Sequence, residues 1–377
     1  MSTQANSPST SVREALLAGA LVVAAGALFA WGAQFLPVDG VIFGFDWNIY
    51  WQSIRGGWPR YDLWGVLNPP WTYLMILPLG QLPLASSWAV WTFLTLLVLL
   101  ISLPWAAGRR TALMAGALLL TSFITLRSLA DGNLTVIMVG GSLLLLRGWQ
   151  KQWPWMIAAG VLLVTAKVQE SALLLLGLAW CLWRTWPIRR WAQALGYVLI
   201  VVVPSLLVLG GEWLGRVLAR APGSALGVTL ASQITRPGIT ISLRAFEPWL
   251  SGAPWLLSVA ALGVLLTTVG LTMKSLPALS AEKIGLWVTA TMLLSPYAGG
   301  LSLLSALALG ALPIFTWRAG WGAFVILLTH APYVFIALGY SDVAPNWPLW
   351  YWTIVLLLIW GACGWRVHTT EAAHGLR

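Results

Sequence analysis

Residues 43–71 read FGFDWNIYWQSIRGGWPRYDLWGVLNPPW, a charged and aromatic stretch between two strongly apolar segments. It holds five tryptophans and four charged side chains, in a chain of which only 8% of residues are charged. Those four are Asp46, Arg55, Arg60 and Asp62. Charges near a membrane are costly and tend to mark functional sites, so the stretch predicts a function for this loop.

The composition of the whole chain is that of a membrane protein. Hydrophobic residues make up 59% of the 377 residues, whereas a soluble domain carries about 25% charged residues and could not cover so much apolar surface. The net charge is +10, but no basic run is longer than the pair Arg189–Arg190. Membrane orientation and contact with anionic lipid explain this surplus, and no nucleic-acid partner is expected.

Apolar runs bounded by charges, Pro or Gly predict an all-α, polytopic protein with about twelve spans in a single domain over residues 1–377. The predicted spans are 15–36, 87–107, 111–127, 133–147, 153–167, 170–184, 192–210, 253–273, 284–297, 301–317, 321–340 and 348–365. The piece 71–84 is apolar but short and contains two prolines. It is expected at the interface or as a re-entrant segment.

Basic residues predict the orientation of these spans in a cell membrane. With both termini in the cytoplasm, thirteen of the 21 Lys and Arg residues fall inside and eight of the 11 acidic residues fall outside, as the positive-inside rule requires. Residues 1–14 and 366–377 are then cytoplasmic tails, and the first span is not a cleaved signal peptide. The outer face carries a first loop over 37–70 and a large loop over 212–252.

Asp46 is the strongest candidate for chemistry in the first outer loop. It follows an apolar run and lies between Phe45 and Trp47. Partial burial would raise its pKa and make it a usable proton acceptor. An alternative is that Asp46 caps a helix beginning at this point, because an Asp there satisfies free backbone N–H groups. The two roles are compatible with each other.

The same loop carries an ordered set of further residues. In chain order these are Asp46, Tyr50, the element Gly57-x-Pro59-x-Tyr61, the step Asn68-Pro69-Pro70 and then Leu77-Pro78-Leu79. This order resembles the first outer loop of the GT-C superfamily of integral membrane glycosyltransferases. The most similar branch is the polyprenyl-phosphate-mannose-dependent mannosyltransferases and their bacterial relatives. The resemblance implies a GT-C-like fold with Asp46 as the catalytic base and with Tyr50 and Tyr61 at the substrate.

Weaker matches extend this resemblance to about residue 300. Members of the family often have Gly-Gln-x-Asn at the start of a span; here the position reads Asp131-Gly132-Asn133, without the Gln. They also have a Lys at the outer end of the next helix. Here that residue is Lys167, without the proline that often follows. A late Ser-Pro step is present as Ser295-Pro296.

Lys167 interrupts a long apolar run and has two interpretations. As a placed cation it would stabilise the negative charge on a phosphate leaving group, together with Arg127 and Asn133 at neighbouring span ends. As an ordinary turn residue it would be solvated beside Glu170. In the 212–252 loop, Arg236 and Arg244 could bind lipid phosphate by bidentate contacts, or could be attracted to anionic head groups without specificity. His330, beside Pro332, fits a hydrogen-bonded core histidine.

These features predict a glycosyltransferase that moves a sugar, mannose by the resemblance, from a polyprenyl-phosphate donor to an acceptor hydroxyl on the outer face. One carboxylate suffices because phosphate is already a good leaving group, whereas a glycosidase needs a second. No cofactor or metal cluster is expected, although a divalent cation is compatible with the pattern. The alternatives are a transporter or flippase of lipid-linked substrates, and a non-catalytic membrane subunit.

Overall fold

Proline, glycine and serine residues set the helix boundaries of this apolar chain. The computed structural model describes residues 12–40, 43–57, 59–60, 68–219, 241–295, 298–338 and 349–375. Within these ranges the regular structure is entirely helical. Pro70 and Pro154 begin helices at the position where a missing N–H has no consequence. Ser122 and Ser280 cap two others, each accepting a backbone N–H with its hydroxyl.

The α-helices follow one another with short connections. They are α1 (Val12–Ala33), α2 (Phe45–Ile54), α3 (Pro70–Ile76), α4 (Leu84–Ser102), α5 (Arg109–Thr121), α6 (Phe123–Asp131), α7 (Thr135–Lys151), α8 (Pro154–Val164), α9 (Val168–Thr185), α10 (Ile188–Ala219), α11 (Trp255–Lys274), α12 (Ala281–Leu294), α13 (Gly300–Ile314), α14 (Ala319–Leu328), α15 (Ala331–Ala337) and α16 (Leu349–Gly375). Helix α13 begins with a 3₁₀ turn and contains a π-helical segment, Leu307–Ala311. Further 3₁₀ turns cover Leu77–Gln81, Thr165–Lys167 and Leu243–Phe246.

Within the described residues, each of the twelve predicted apolar segments overlaps one of these helices or a helix pair. Among the described residues, four helices are long and apolar enough to cross a membrane: Leu84–Ser102, Ile188–Gly215, Trp255–Lys274 and Trp350–Thr370. Helices α5 and α6 make a fifth if they form one span bent by 62°. The part of the chain that the structure describes is therefore all-helical, with four or five candidate spans and several shorter apolar helices, which indicates a membrane protein.

Two predicted boundaries differ from the structure. Helix α10 continues to Ala219, past residue 212 where the large outer loop was expected to begin. Helix α16 continues to Gly375, so most of the expected tail 366–377 is helical. Hydropathy marks where a helix leaves the membrane, and these helices end later than that.

The stretch 37–70, predicted as the first outer loop, contains helical structure among its described residues. It contains α2, and its last residue, Pro70, begins α3. Helix α3 is mostly buried and packs against α8 and α10. The short segment 71–84 thus lies among the other helices as α3 and the 3₁₀ turn Leu77–Gln81.

Two apolar clusters form the core. The larger one is built mainly from α7, α9, α12, α13 and α16. The smaller one, which we call the aromatic cluster, joins α2, α3, α4 and the start of α7, and includes Trp47, Tyr73, Trp88 and Trp91. Helix α9 packs closely on α12, and α7 packs on α8. The polar residues described next connect the two clusters at one end of the helices.

Candidate active site

Asp46 lies in the first turn of α2 and is half-buried. The cap position of this helix is Gly44, in a left-handed conformation with φ of 76° and no side-chain cap. Asp46 Oδ2 instead accepts a 2.5 Å hydrogen bond from Asn133 Nδ2, a group outside its own helix. The carboxylate also gains from the helix dipole at this end. The cap interpretation therefore does not account for the observed hydrogen bond of Asp46.

Asn133 is held in one orientation by its neighbours. Its Oδ1 accepts hydrogen bonds from the backbone N–H of Thr135 at 2.9 Å and from the Thr135 hydroxyl at 2.6 Å. The Lys167 ammonium donates to the same oxygen at 3.3 Å. A backbone N–H and an ammonium can only donate. The amide oxygen of Asn133 must therefore face them, and its NH₂ must face Asp46.

Gly132 fixes the distance between Asn133 and α2. It ends α6 in a left-handed conformation with φ of 70°, which favours glycine. A Cβ on this residue would come within 2.5 Å of the Cβ of Trp47, beside Asp46. The Gly44 N–H donates to the Ala130 carbonyl at 2.6 Å. The end of α6 and the start of α2 are therefore in direct contact at the site.

Lys167 and Glu170 form a buried ion pair rather than a solvated turn. Lys167 Nζ is 3.0 Å from Glu170 Oε1, and the two side chains are 10% and 0% exposed. The ammonium also donates to the Thr135 hydroxyl at 2.6 Å. With Asn133 this makes three acceptors for three N–H groups. Lys167 lies near Asp46, but all three of its donors are engaged within the protein.

Glu170 is satisfied from a distant part of the chain. Its Oε1 accepts a 2.5 Å hydrogen bond from Ser302 Oγ, and its Oε2 accepts one of 3.0 Å from Ser305 Oγ. Both serines are buried in α13. A polar line thus runs from Asp46 through Asn133, Lys167 and Glu170 to α13, and it joins four separate segments.

Burial and the neighbouring groups change the pKa of Asp46 in opposite directions. Burial raises the pKa of Asp46 above its ordinary value, and the hydrogen bond from Asn133 and the charges of Lys167 and Arg127 lower it. Burial is the largest of these effects, as expected for a carboxylate removed from water. Arg55 lies over the ring of Trp51.

Arg127 is the second cation beside Asp46 and the more accessible one. Its Nε donates to Asp131 Oδ2 at 2.8 Å. The Arg127 side chain is 51% exposed, whereas that of Asp131 is 5% exposed. Arg127 can therefore meet a ligand without leaving its position on α6, which Lys167 cannot.

The step Asn68-Pro69-Pro70 docks the first loop onto the segment that carries Lys167. Asn68 Nδ2 donates to the Ala166 carbonyl at 2.8 Å. Trp71 Nε1 donates to the Thr165 hydroxyl at 3.1 Å. These contacts fall on the 3₁₀ turn Thr165–Lys167. Two stretches that the resemblance singled out separately are thus in contact.

The tryptophans of the first loop that are described act mainly in packing. Trp47 is fully buried and stacks on Trp91 with ring centres 4.9 Å apart, and its Nε1 donates to Ser87 at 2.9 Å. Trp71 is also buried. Trp51 is half-buried and donates to the Leu82 carbonyl. Trp47 and Trp71 hold the loop against the helices, which leaves little of their rings for a sugar.

The other predicted substrate residues divide into three groups. Tyr50 lies beside the site, with its ring against Trp47 and Tyr73. Arg244 pairs with Glu247 through hydrogen bonds of 2.5 Å and 3.5 Å, on a turn that packs against α11 and α16. No described contact joins Arg244 to Asp46. Tyr61 and Arg236 lie outside the described residues.

Several residues of this network were not predicted as site residues: Thr135, Glu170, Ser302 and Ser305. Glu170 carried a local signal, since it follows Lys167 by three residues on one helical face. The serines carried none, because they lie 132 and 135 residues from Glu170. His330 behaves as predicted for a core histidine: its ring nitrogens lie 3.1 Å from the Thr121 hydroxyl and 3.2 Å from the Ile326 carbonyl.

A cavity of about 320 Å³ lies near the opposite end of the helices from Asp46. Its walls come from the end of α4 and from α7, α12 and α13. They are mostly apolar, and Glu282 is the only acidic group in them. None of the residues of the polar line from Asp46 to α13 lines this cavity. No group of three or more His, Cys, Asp or Glu suited to a metal occurs among the described residues.

Comparison with known proteins adds no relative. No protein-family model matches the sequence, and neither the curated proteins nor the solved structures give a match. The likeness to GT-C glycosyltransferases therefore rests on the residues of the first loop and on the positions that accompany them.

Proposed function

We propose that the protein is a GT-C-type membrane glycosyltransferase that moves a sugar from a polyprenyl-phosphate donor to an acceptor hydroxyl. The observation that carries this proposal is the half-buried Asp46 carboxylate, hydrogen-bonded to Asn133 at 2.5 Å beside two cations. Sugar transfer from a lipid phosphate needs one base for the acceptor and positive charge for the departing phosphate. This arrangement contains both.

In the proposed reaction Asp46 takes the proton of the acceptor hydroxyl while that oxygen bonds to the anomeric carbon. The bond from this carbon to the phosphate oxygen breaks, and polyprenyl phosphate leaves from the opposite face. The configuration at the sugar inverts. Because the leaving group is a phosphate, no second carboxylate has to protonate it.

Arg127 is the proposed direct partner of the phosphate. Its side chain is half exposed and uses its Nε for Asp131, and a guanidinium has further N–H groups that suit phosphate oxygens. Lys167 contributes its charge from within the protein, since its donors are engaged. Mannose is the favoured sugar on the resemblance alone. The acceptor is a hydroxyl on a lipid, a glycan or a protein.

Donor screening tests the activity. Membranes with and without the protein are given a series of polyprenyl-phosphate sugars, each radiolabelled in the sugar. We expect one label to move onto an acceptor only where wild-type protein is present, with none moved by an Asp46→Asn variant. If every label remains on its polyprenyl phosphate, the glycosyltransferase proposal fails.

The proposed topology has about twelve spans, both termini in the cytoplasm and Asp46 on the outer side of the cell membrane. Gly56 offers a test, because it is exposed in the first loop and a side chain there meets no neighbour within 4 Å. Gly56→Cys should react with an impermeant thiol reagent on intact cells. Labelling of the native cysteines should be low, because Cys181 and Cys363 are buried. Reaction only after lysis contradicts this orientation.

A transporter or flippase of lipid-linked substrates is the second proposal. It is favoured by the buried Lys167–Glu170 pair, because ionisable groups inside a membrane protein also mark transport pathways. In vesicles holding the purified protein, transport would move labelled donor across the bilayer with its sugar still attached. Transfer of the sugar to a new acceptor would favour the enzyme.

A further inference from the structure

Glu170 is the most enclosed charge among the described residues near Asp46. Its side chain is 0% exposed, and it accepts hydrogen bonds from Lys167, Ser302 and Ser305. A buried carboxylate is tolerated when it is paired and hydrogen-bonded in this way. The Glu170 carboxylate is therefore fixed in place, and it can fix the position of the Lys167 ammonium.

Lys167 connects Glu170 to the side chains that contact Asp46 or lie beside it. The same ammonium that pairs with Glu170 donates to the Thr135 hydroxyl and to Asn133 Oδ1. If Glu170 lost its charge, the ion pair that fixes the Lys167 ammonium would be replaced by a weaker hydrogen bond to a neutral group. The ammonium would then be free to move away from Asn133.

The position of the Lys167 ammonium helps to fix the orientation of the Asn133 amide. That orientation sets the direction of the Asn133 hydrogen bond to Asp46. Three donors hold its Oδ1, so its NH₂ is directed at Asp46 Oδ2. A turned-over amide would place its oxygen against the carboxylate, where both groups only accept. The described hydrogen bonds of Asp46 engage Oδ2 alone. The other oxygen, Oδ1, is left for a proton from a ligand.

We propose that Glu170, locked by Ser302 and Ser305, is a positioning residue for Asp46 that acts through Lys167 and Asn133 and leaves Asp46 Oδ1 to take the acceptor proton. This inference rests on the proposed glycosyltransferase function. It assigns Lys167 and Glu170 to the basicity and orientation of Asp46 rather than to direct binding of the donor phosphate.

A kinetic test uses two matched acids in i,i+3 ion pairs. Glu170→Gln removes the buried acid, and Glu247→Gln removes the partly exposed acid that pairs with Arg244. Because misplacing a reacting group costs about 10- to 100-fold in rate, we expect kcat of Glu170→Gln to fall by that factor. Its KM for the donor should stay within about twofold, since binding is not removed. Glu247→Gln should match wild type.

A double-variant test separates a positioning effect of Glu170 from a general loss of structure. In a Lys167→Met protein the contacts that link Glu170 to Asn133 are already absent. Adding Glu170→Gln should therefore not lower kcat further. Ser302→Ala combined with Ser305→Ala should reproduce part of the loss seen with Glu170→Gln. An unchanged kcat in Glu170→Gln overturns the inference, as does an equal further loss in the Lys167→Met background or an effect confined to KM.

A readout without sugar transfer covers the case in which Glu170→Gln does not fold. Lys167→Met with Glu170→Leu removes both charges at once and replaces them with apolar groups of similar size, which buried pairs often tolerate. The pH at which Asp46 reacts with a carbodiimide, located by mass spectrometry, reports its protonation. Lys167, Arg127 and Asp131 are the charged groups that act on or beside Asp46.

We expect the half-reaction pH of Asp46 to rise in the double variant, because the Lys167 charge lowers the pKa of Asp46. An unchanged value contradicts the inference. If the pH rises but wild-type protein transfers no sugar from any donor, the proposed function fails and the positioning network stands. If wild type transfers sugar and the Glu170 variants have normal kcat, this inference alone fails.

Discussion

Two ion pairs with the same i,i+3 spacing behave differently in this protein. Lys167–Glu170 is separated by 3.0 Å with side chains 10% and 0% exposed, and Arg244–Glu247 is separated by 2.5 Å with side chains 34% and 36% exposed. The shorter pair stands alone on a turn, whereas the longer pair belongs to a network that reaches Asp46. Both cations were predicted to bind phosphate. The pair that is connected to the site differs from the other pair in its burial and in its additional hydrogen-bond partners, and not in having a shorter ion-pair distance.

Their energetics should differ in the same direction. Breaking a buried pair leaves an uncompensated charge and costs about 3–5 kcal/mol, whereas partly exposed pairs contribute about 0–1 kcal/mol. Arg127–Asp131 lies between the two, with one exposed and one buried partner. The comparison therefore predicts that the loss of stability is largest on removal of Lys167, smaller for Arg127 and smallest for Arg244.

Lys167→Ala should have the largest effect on stability. It leaves Glu170 buried with only two serine hydroxyls as donors, so we expect a loss of about 3–5 kcal/mol. The midpoint of thermal unfolding in detergent, compared with wild type, measures it. Lys167→Arg should lose less, because the positive charge is kept although the geometry differs. Equal stability of Lys167→Ala and wild type would show that the pair is not the buried unit described.

Gly132→Ala should be the next most damaging change. The left-handed backbone alone costs about 1–3 kcal/mol for a residue with a side chain, and the added Cβ also meets Trp47 at 2.5 Å. Gly57→Ala is the matched control: its φ is 77° and its nearest contact is 3.8 Å, to the end of Gln81. We expect a lower unfolding midpoint for Gly132→Ala than for Gly57→Ala. Equal midpoints would mean that α2 is not held against α6 at this point.

Arg127→Gln should change the pH dependence of activity more than the stability. The pKa of Asp46 lies above its usual value because of burial, and Arg127 lowers it. A base works only when deprotonated, so kcat/KM should rise with pH through the pKa of Asp46. Removing Arg127 moves that rise to higher pH, and Lys167→Met, which removes the larger of the two charge effects, moves it further. A shift to lower pH would contradict the assignment of Asp46 as base.

Arg244→Ala should have the smallest effect. Its pair with Glu247 is partly exposed, and such pairs contribute about 0–1 kcal/mol. Both the unfolding midpoint and transfer activity should remain close to wild type. A strong loss of donor use with normal stability would place the phosphate at this turn, and would reverse the comparison between the two pairs.

Much of the site's composition could be predicted from the sequence. The charge pattern placed Asp46, Arg127 and Lys167 on one side of the membrane, and the family resemblance added Asn133. The structure brings these four together. This works because charges are excluded from the apolar interior of spans and collect at their ends.

The partners of Glu170 could not be predicted in this way. Ser302 and Ser305 have no local pattern that points to a carboxylate more than 130 residues earlier. Only the three-dimensional fold brings these two serines of α13 to the carboxylate on α9. Helices α10 and α16 also end later than the predicted spans, because hydropathy follows the membrane and does not mark where a helix ends.

The central claim is that Asp46 acts as a general base, and Asp46→Asn tests it most directly. Asparagine keeps the size of the side chain and can still hydrogen-bond, but it cannot take a proton. The initial rate of sugar transfer should be measured with purified wild type and variant in vesicles with the donor found by screening. We predict a folded variant with the same unfolding midpoint and a rate lower by about 10²–10⁴-fold. A folded Asp46→Asn protein that transfers sugar at the wild-type rate would contradict the account.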